Sequence, residues 1–448
     1  EERSALPSFL YLSLKEERKK GSLAVSWDPE RDYCVGHYAK ERGEELPGRL
    51  VSSAKSWLSH SDCDRREAIL TWGADGVDGM LSPVDASARY LSHLREVWDL
   101  AHPDAPLAQQ RLFVTVPASF DPSACQLVEE ACDAAGLGQV VLLEEPQAAF
   151  YAWLHRHQAA WREQLSVGDT VLVVDIGGGT TDFSLISVSD NDGDLQLERI
   201  AVGSHLLLGG DNMDLALAYV VRQKLEEEGH DIDDWQFQAL THAARRAKER
   251  LLSEDAPESV DISIRGRGGS LIGSTLTSSL SREEALSLVV EGFAPLLDRD
   301  EHPAGTSSGM RQIGLPYAED ARITSHLAKF LSRSGEGSND VSAFLCPRRV
   351  LFNGGSLKAD ALRGRILQQL QQWSIDADPT EVLDGADLDC AVSRGAVYYG
   401  LAREGKAIRI KGGTSRSYFI GVEDAVPAVP GLPRPMKAIC VVPFGMEE

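Results

Sequence analysis

The stretch VLVVDIGGGTTDFSL, Val171–Leu185, decides how this chain is read. Four apolar residues, Val171–Val174, run into Asp175. Three glycines and two threonines follow, and Asp182 arrives just before Phe183 and Leu185 resume the apolar pattern. The pattern predicts a buried strand, a tight turn and a second strand, with two acids flanking a turn that bears hydroxyls. A P-loop needs a lysine after its glycines, and a dinucleotide fingerprint needs the turn to open a helix; this turn has neither. Two readings stay open. Glycine lets backbone N–H groups approach phosphate oxygens while Asp175 and Asp182 hold magnesium, directly or through water. Alternatively, a hairpin simply needs glycine for its dihedral angles.

The neighbouring segments predict an α/β layer pattern. RLFVTVPASF, Arg111–Phe120, is a strand closed by Pro117, and Asp121 with Pro122 supplies an N-cap and a first-turn proline for a helix over Ser123–Ala135. VVLL, Val140–Leu143, is a strand, and EEPQAAFYAWLHRH opens a helix. After the quoted stretch, NDGD at Asn191–Asp194 is a hairpin turn, followed by helices over Asn212–Glu228 and Trp235–Leu252. VDISIRG and GSLIGSTLTSS predict a separate two-stranded sheet, with a helical Arg282–Leu297 after it. RVLFNGGSLKADALRGRILQQLQQW repeats strand, glycine turn and helix, and DLDCAVSRGAVYYGLAR is a helix of small residues suited to close packing. Near the start, SFLYLSL, Ser8–Leu14, is a strand with SLAVSW, Ser22–Trp27, as its hairpin partner; a short helix is expected around VSSAKSWL. In the helix Pro83–Leu100, Ala88, Leu91, Leu94, Val97 and Trp98 recur at helical spacing. The Gly/Ser-rich interval Asp298–Asp340, with PAGTSSGM and SRSGEGSND, predicts loops. SRSYFIGVE and KAICVVPFG predict closing strands.

With 448 residues the chain exceeds the size at which one core keeps growing, so two or more lobes are expected. A formal charge of −23 argues against general nucleic-acid binding, although a local phosphate site with magnesium is compatible with it. Seven scattered cysteines lack paired metal spacing and fit a reducing compartment. No apolar run is long enough for a membrane span and no signal peptide is visible at the beginning, which predicts a cytoplasmic location without a membrane partner.

Glu145, at the mouth of a strand, would repel the two aspartates unless a cation or shared proton joined them, which suits a role in orienting attacking water; taken alone it is equally a helix N-terminal acid. NGGS, Asn353–Ser356, is another strand-end glycine turn able to approach a sugar, base or phosphate. The ordered markers VTVPASF, LLEEPQAA, VVDIGGGTTDFSL, LLGGDNMD, RRAKERL, VLFNGGS and DLDCAVSRGA resemble the nucleotide-binding domain of the seventy-kilodalton heat-shock (DnaK-type) chaperones, in the actin-like ATPase superfamily. The resemblance covers about Pro7 to Gly405. It implies an α/β, two-lobed actin-like ATPase fold with duplicated ribonuclease H-like cores and peripheral subdomains. The boundaries it implies are 1–169 for a first lobe, 170–385 for a second lobe with a peripheral α+β subdomain, 386–410 for a closing helix and 411–448 for the start of a β-rich substrate-binding domain.

By position, the resemblance implies catalytic roles for Lys55, Glu145, Asp175 and Asp182, with the two aspartates holding Mg2+ through water. It implies ATP or ADP contacts for Gly177, Gly178, Gly179, Thr180, Thr181, Gly209, Gly210, Asp211, Lys248, Gly354, Gly355, Ser356, Lys358 and Asp389. The implied activity is ATP hydrolysis coupled to a peptide substrate, a co-chaperone or a nucleotide-exchange factor. Two departures bear on the base and ribose contacts: Arg245 stands where the family places glutamate, and Lys358 replaces an arginine, whose planar fork an ammonium does not reproduce. The resemblance also places a first strand and a phosphate-binding turn immediately before SALPSFLYL, and turnover is expected where that segment accompanies the chain. Two rival functions are a nucleotide sensor that binds ATP without turnover and, from the same superfamily, a small-metabolite kinase.

Overall fold

The computed structural model describes residues 5–60, 63–71, 79–191, 194–204, 206–266, 275–303, 318–335, 344–374, 378–385, 387–408, 410, 417–423, 436–443 and 446. The first strand, β1 (Leu10–Leu12), lies between two partners, β2 (Tyr33–Val35) and β3 (Leu50–Val51), both antiparallel. This corrects the expected hairpin with Ser22–Trp27. The strongly helix-forming KEERKK run folds as α1 (Lys15–Lys20) and stops at Gly21 in the left-handed region. The Glu17 carboxylate ties its start by accepting from the Leu14 amide at 2.8 Å and the Tyr11 hydroxyl at 2.9 Å. Strand pairing is thereby postponed to Tyr33. Helix α2 (His37–Glu45) follows β2 and α3 (Ala54–Leu58) follows β3. The long helix α4 (Pro83–Ala101) forms as expected, capped by Ser82, whose hydroxyl accepts from the Asp85 amide. Its N-terminal residues Val84, Ala86 and Ala88 are buried, whereas Leu94, Val97 and Trp98 are exposed.

The parallel pair β4 (Leu112–Val116) and β5 (Val140–Glu144) brackets α5 (Pro122–Ala134), whose N-cap Asp121 accepts from the Ala124 amide at 2.7 Å. Helices α6 (Glu145–His157) and α7 (Trp161–Gln164) lead into the central sheet. There β6 (Thr170–Ile176), β7 (Thr181–Asn191) and β8 (Asp194–Val202) form an antiparallel meander. The tip of the NDGD turn, residues 192–193, lies outside the described residues.

Helices α8 (Gly210–Glu227) and α9 (Asp234–Leu251) pack together. They are followed by the separate two-stranded sheet of β9 (Ser259–Arg265) and β10 (Thr275–Ser281), as expected, and by α10 (Arg282–Leu286), which continues into a π-helical turn to Gly292. Within the interval expected to be loop, α11 (Ile323–Gly335) is a helix. Its Ile323, Leu327 and Leu331 recur on one buried face, a pattern obscured by flanking Gly/Ser-rich sequence. The loops expected at 304–317 and 336–343 lie outside the described residues. Strand β11 (Arg349–Asn353) pairs parallel to β6, α12 (Asp360–Trp373) follows, and β12 (Glu381–Val382) completes the sheet order β12–β11–β6–β7–β8.

Both faces of this sheet are covered, which explains the unbroken apolar run of β6. Leu172, Val174 and Ile176 enter a core shared with α8, α9, α11 and α12. Val171 and Val173 enter another, with Trp153 and Trp161 of α6 and α7. The small-residue helix α13 (Ala391–Arg403) packs on α6, with Ala396 and Ala148 buried in one cluster. Strands β13 (Tyr418–Glu423) and β14 (Met436–Val442) pair antiparallel as a separate hairpin with exposed Phe419, Ile420 and Ile439.

Candidate functional site

Asp175 and Asp182 stand directly opposite one another across β6 and β7. Cross-strand partners share a face of the sheet, so both carboxylates lie on the Val171/Val173 side, at its end beside the glycine turn. Asn353 occupies the matching position on β11 and its Nδ2 donates to Asp175 Oδ2 at 2.8 Å. From the other sheet, the Ser119 amide, after β4, donates to Asp182 Oδ1 at 3.1 Å. Glu145, the first residue of α6, forms an ion pair with Lys55 of α3. Two acids on one sheet, one acid at a helix start and one lysine thus converge from four elements.

The electrostatics are those of an incompletely neutralised acid cluster. Burial first, then the charge of Glu145, pushes Asp175 up to about 7, against the Asn353 hydrogen bond, which favours the ionised form. Burial pushes Asp182 up to about 6, opposed by donation from Ser119. Among the described residues, no three carboxylate, imidazole or thiol groups come close enough to enclose a metal ion by themselves. The crowding of Asp175, Asp182 and Glu145 is what a hydrated divalent cation, held through its water ligands, would relieve.

The glycine turn lies against a second loop. Gly177 N–H donates to Thr180 O at 2.9 Å, and the amides of Gly210 and Asp211, at the start of α8, donate to Gly177 O and Gly178 O at 3.0 and 2.7 Å. A side chain at Gly209 would sit 2.6 Å from Gly178 O, so glycine is required by this approach. The third glycine loop closes from β11: Ser356 donates its hydroxyl to Gly177 O at 2.8 Å. Gly354, at φ +94°, has no room for a Cβ, which would fall 2.3 Å from Ile176 O. Gly355 has open space around it. The three glycine segments picked out in the sequence are therefore one continuous surface.

Other expected residues fall into different settings. Thr180 stays at the turn, but Thr181 is buried and its hydroxyl donates to Leu208 O at 2.7 Å, anchoring the loop before α8. Lys248 donates to Gly210 O at 3.0 Å and pairs with Asp214 at 2.6 Å. Lys358 and Asp389 pair with each other at the surface, both half exposed. Arg245 bridges Asp211 at 2.5 Å and Asp214 at 2.6 Å, with its guanidinium 5.4 Å from the Phe9 ring centroid. Asp211 also accepts from the Ser53 hydroxyl at 2.5 Å.

Sequence reasoning missed Asn353, Ser119, Ser53 and Asp214. Only Asn353 had a usable signal, its position at a strand end that mirrors Asp175.

Residues 62–305 match the family model described as Hsp70 protein. The chain belongs to the Hsp70 family. Curated Hsp70-family relatives include the chaperone protein HscA homolog of Acinetobacter baylyi, 33% identical over 50% of this chain and 37% of that protein. The chaperone protein HscA of Pectobacterium carotovorum subsp. carotovorum is 32% identical over 60% of the chain and 40% of that protein. The HscA homolog of Cupriavidus taiwanensis is 28% identical over 81% and 56%. These matches take in between 37% and 56% of the length of these relatives. The layered helix and sheet architecture is that of the Hsp70 actin-like ATPase fold. No described helix is long and apolar enough to cross a membrane.

Proposed function

We propose that this chain is the nucleotide-binding part of an Hsp70-type chaperone that binds Mg-ATP, hydrolyses it and uses the nucleotide state to govern binding of a peptide or a co-chaperone. The division into lobes at 1–169 and 170–385, with the closing helix at 386–410, belongs to the same reading. The observation that carries it is the Asp175–Asp182 pair at the mouth of a glycine turn, with Glu145 and Lys55 facing it. Magnesium, when bound, would neutralise phosphate charge beside these acids. The amides of Gly178 and Gly179 make no hydrogen bond within the described structure and are free to receive phosphate oxygens. Asp175 and Glu145, as acceptors, orient a water for in-line attack on the terminal phosphate. Lys55, ion-paired with Glu145, supplies a positive charge beside the same acids. Lys248, Gly355 and Lys358 line the remaining approach as nucleoside contacts.

The test is nucleotide binding and release of inorganic phosphate by the complete encoded polypeptide under saturating magnesium, beside Asp175→Ala with folding verified. Turnover lost in Asp175→Ala supports the reading. Binding without turnover in the parent would replace hydrolysis with nucleotide sensing, and absence of binding by folded protein would overturn both.

A further inference from the structure

We propose that a second site, a cavity at the seam between the segment Pro47–Trp57 and helices α8 and α9, binds a small, neutral heteroaromatic molecule of one or two rings. The cavity, partly open to solvent, has a volume of about 180 Å³. An apolar cavity of about 150 Å³ accommodates benzene, so a substituted ring or a fused bicycle fits this volume. Its apolar walls are formed by Val51, Trp57 and Leu70 on one side and Leu215 and Phe237 on the other.

What distinguishes it from a packing gap is its polar end. His242 and Gln238 line the cavity, and neither side chain has a hydrogen-bond partner among the described residues. Burial, then the neighbouring Arg245, pushes the His242 imidazole down to about 3. At neutral pH the ring is uncharged and presents one donor and one acceptor. Two charged residues of opposite sign also line the cavity, Arg222 and Asp234; Arg222 lies 5.5 Å from the Phe237 ring centroid, is paired with Glu226 at 2.6 Å and feels the Asp234 carboxylate. The site therefore offers flat apolar walls and uncommitted neutral hydrogen-bonding groups beside an Arg222 and Asp234 pair whose charges offset one another, which favours an uncharged ring bearing an N–H and a ring nitrogen.

The cavity is separate from the acid cluster: Lys55, Glu145, Asp175, Asp182 and the glycine turn are not among its walls. One bond links the two, because Ser53, which lines the cavity, donates to Asp211 at 2.5 Å. Walls drawn from residues 47–71 and 215–242 mean that an occupant braces two distant chain segments against each other.

Benzimidazole, neutral at pH 8 with one ring N–H and one ring nitrogen, is the probe. It is titrated into the whole protein by calorimetry, with amide hydrogen exchange followed by mass spectrometry. The expected result is saturable binding with a Kd of about 1 mM or tighter and slowed exchange in both 47–57 and 234–242. Thr241→Trp, which fills the cavity, should weaken binding by about tenfold or more with circular dichroism unchanged; Gln238→Trp replaces it should that variant fail to fold. No saturable binding, protection confined to other segments, or undiminished affinity in a folded cavity-filling variant would each overturn the proposal.

Discussion

Replacing Asp175 with asparagine should stabilise the ligand-free protein at pH 8 and leave its stability at pH 5 nearly unchanged. Asp175 is buried, and its carboxyl stands at about 7 rather than at 3.8. The native state therefore holds this proton over a pH range in which the unfolded chain has released it. Stability from this group is fully present below about pH 4, falls by about 1.4 kcal/mol per pH unit as pH rises toward about 7, and is gone above that, so that only a minor part of the loss has accrued at pH 5. A change of one in pKa corresponds to about 1.4 kcal/mol, so the ionised group at pH 8 opposes folding by about 4 kcal/mol at most. Asparagine retains an oxygen for Asn353 Nδ2, but its own Nδ2 must find an acceptor, which offsets part of the gain. The net expectation is about 2 kcal/mol, or roughly 4–8 °C in Tm for a cooperative unit of about 200 residues. The assay is paired thermal and urea denaturation of both proteins at pH 5 and pH 8 with chelator present. Destabilisation of Asp175→Asn by a similar amount at both pH values would refute the reasoning, because it would make the carboxylate a structural hydrogen-bonding group and not a strained charge.

Three further outcomes are expected. Lys55→Ala should reduce phosphate release by about 100-fold while changing stability by less than about 1 kcal/mol, because the Lys55 side chain is half exposed; steady-state kinetics beside urea melts checks both halves. Arg245→Ala leaves buried Asp214 with Lys248 as its remaining ion-pair partner and should cost about 3 kcal/mol in urea denaturation. A loss below about 1 kcal/mol would show that the bridge to Asp211 and Asp214 is incidental. Gly354→Ala forces a Cβ to within 2.3 Å of Ile176 O at φ +94° and should cost about 2–3 kcal/mol; unchanged stability would mean the loop shifts freely.

Much of the site was legible because its chemistry lies in strand ends and glycine turns, which punctuate a sequence strongly. The Val171–Leu185 stretch gives both acids, the turn and the antiparallel return, and NGGS gives the adjoining loop. Helix α2 was harder to see: HYAKERGEE has little apolar content, and Gly43 sits inside it where Leu50 packs. The partner of β1 depended on whether KEERKK would coil up as a helix before the chain could return. The bridge from Arg245 to Asp211 and Asp214 joins residues more than 30 positions apart, and no local pattern encodes it. For the same reason Thr181 reads as a phosphate contact in sequence, whereas in space its hydroxyl faces Leu208.

The opposed placement of Asp175 and Asp182 also acts during assembly of the sheet. A slip of β6 by one residue would turn every one of its side chains to the other face. Asp175 would then enter the apolar core now filled by Leu172, Val174 and Ile176, far from Asn353 and Lys55. A bare carboxylate there costs far more than a misplaced valine. The acids that crowd one another in the finished site thus proofread the alignment of the three strands that carry it, so that a sheet with β6 out of step is penalised before any ligand arrives.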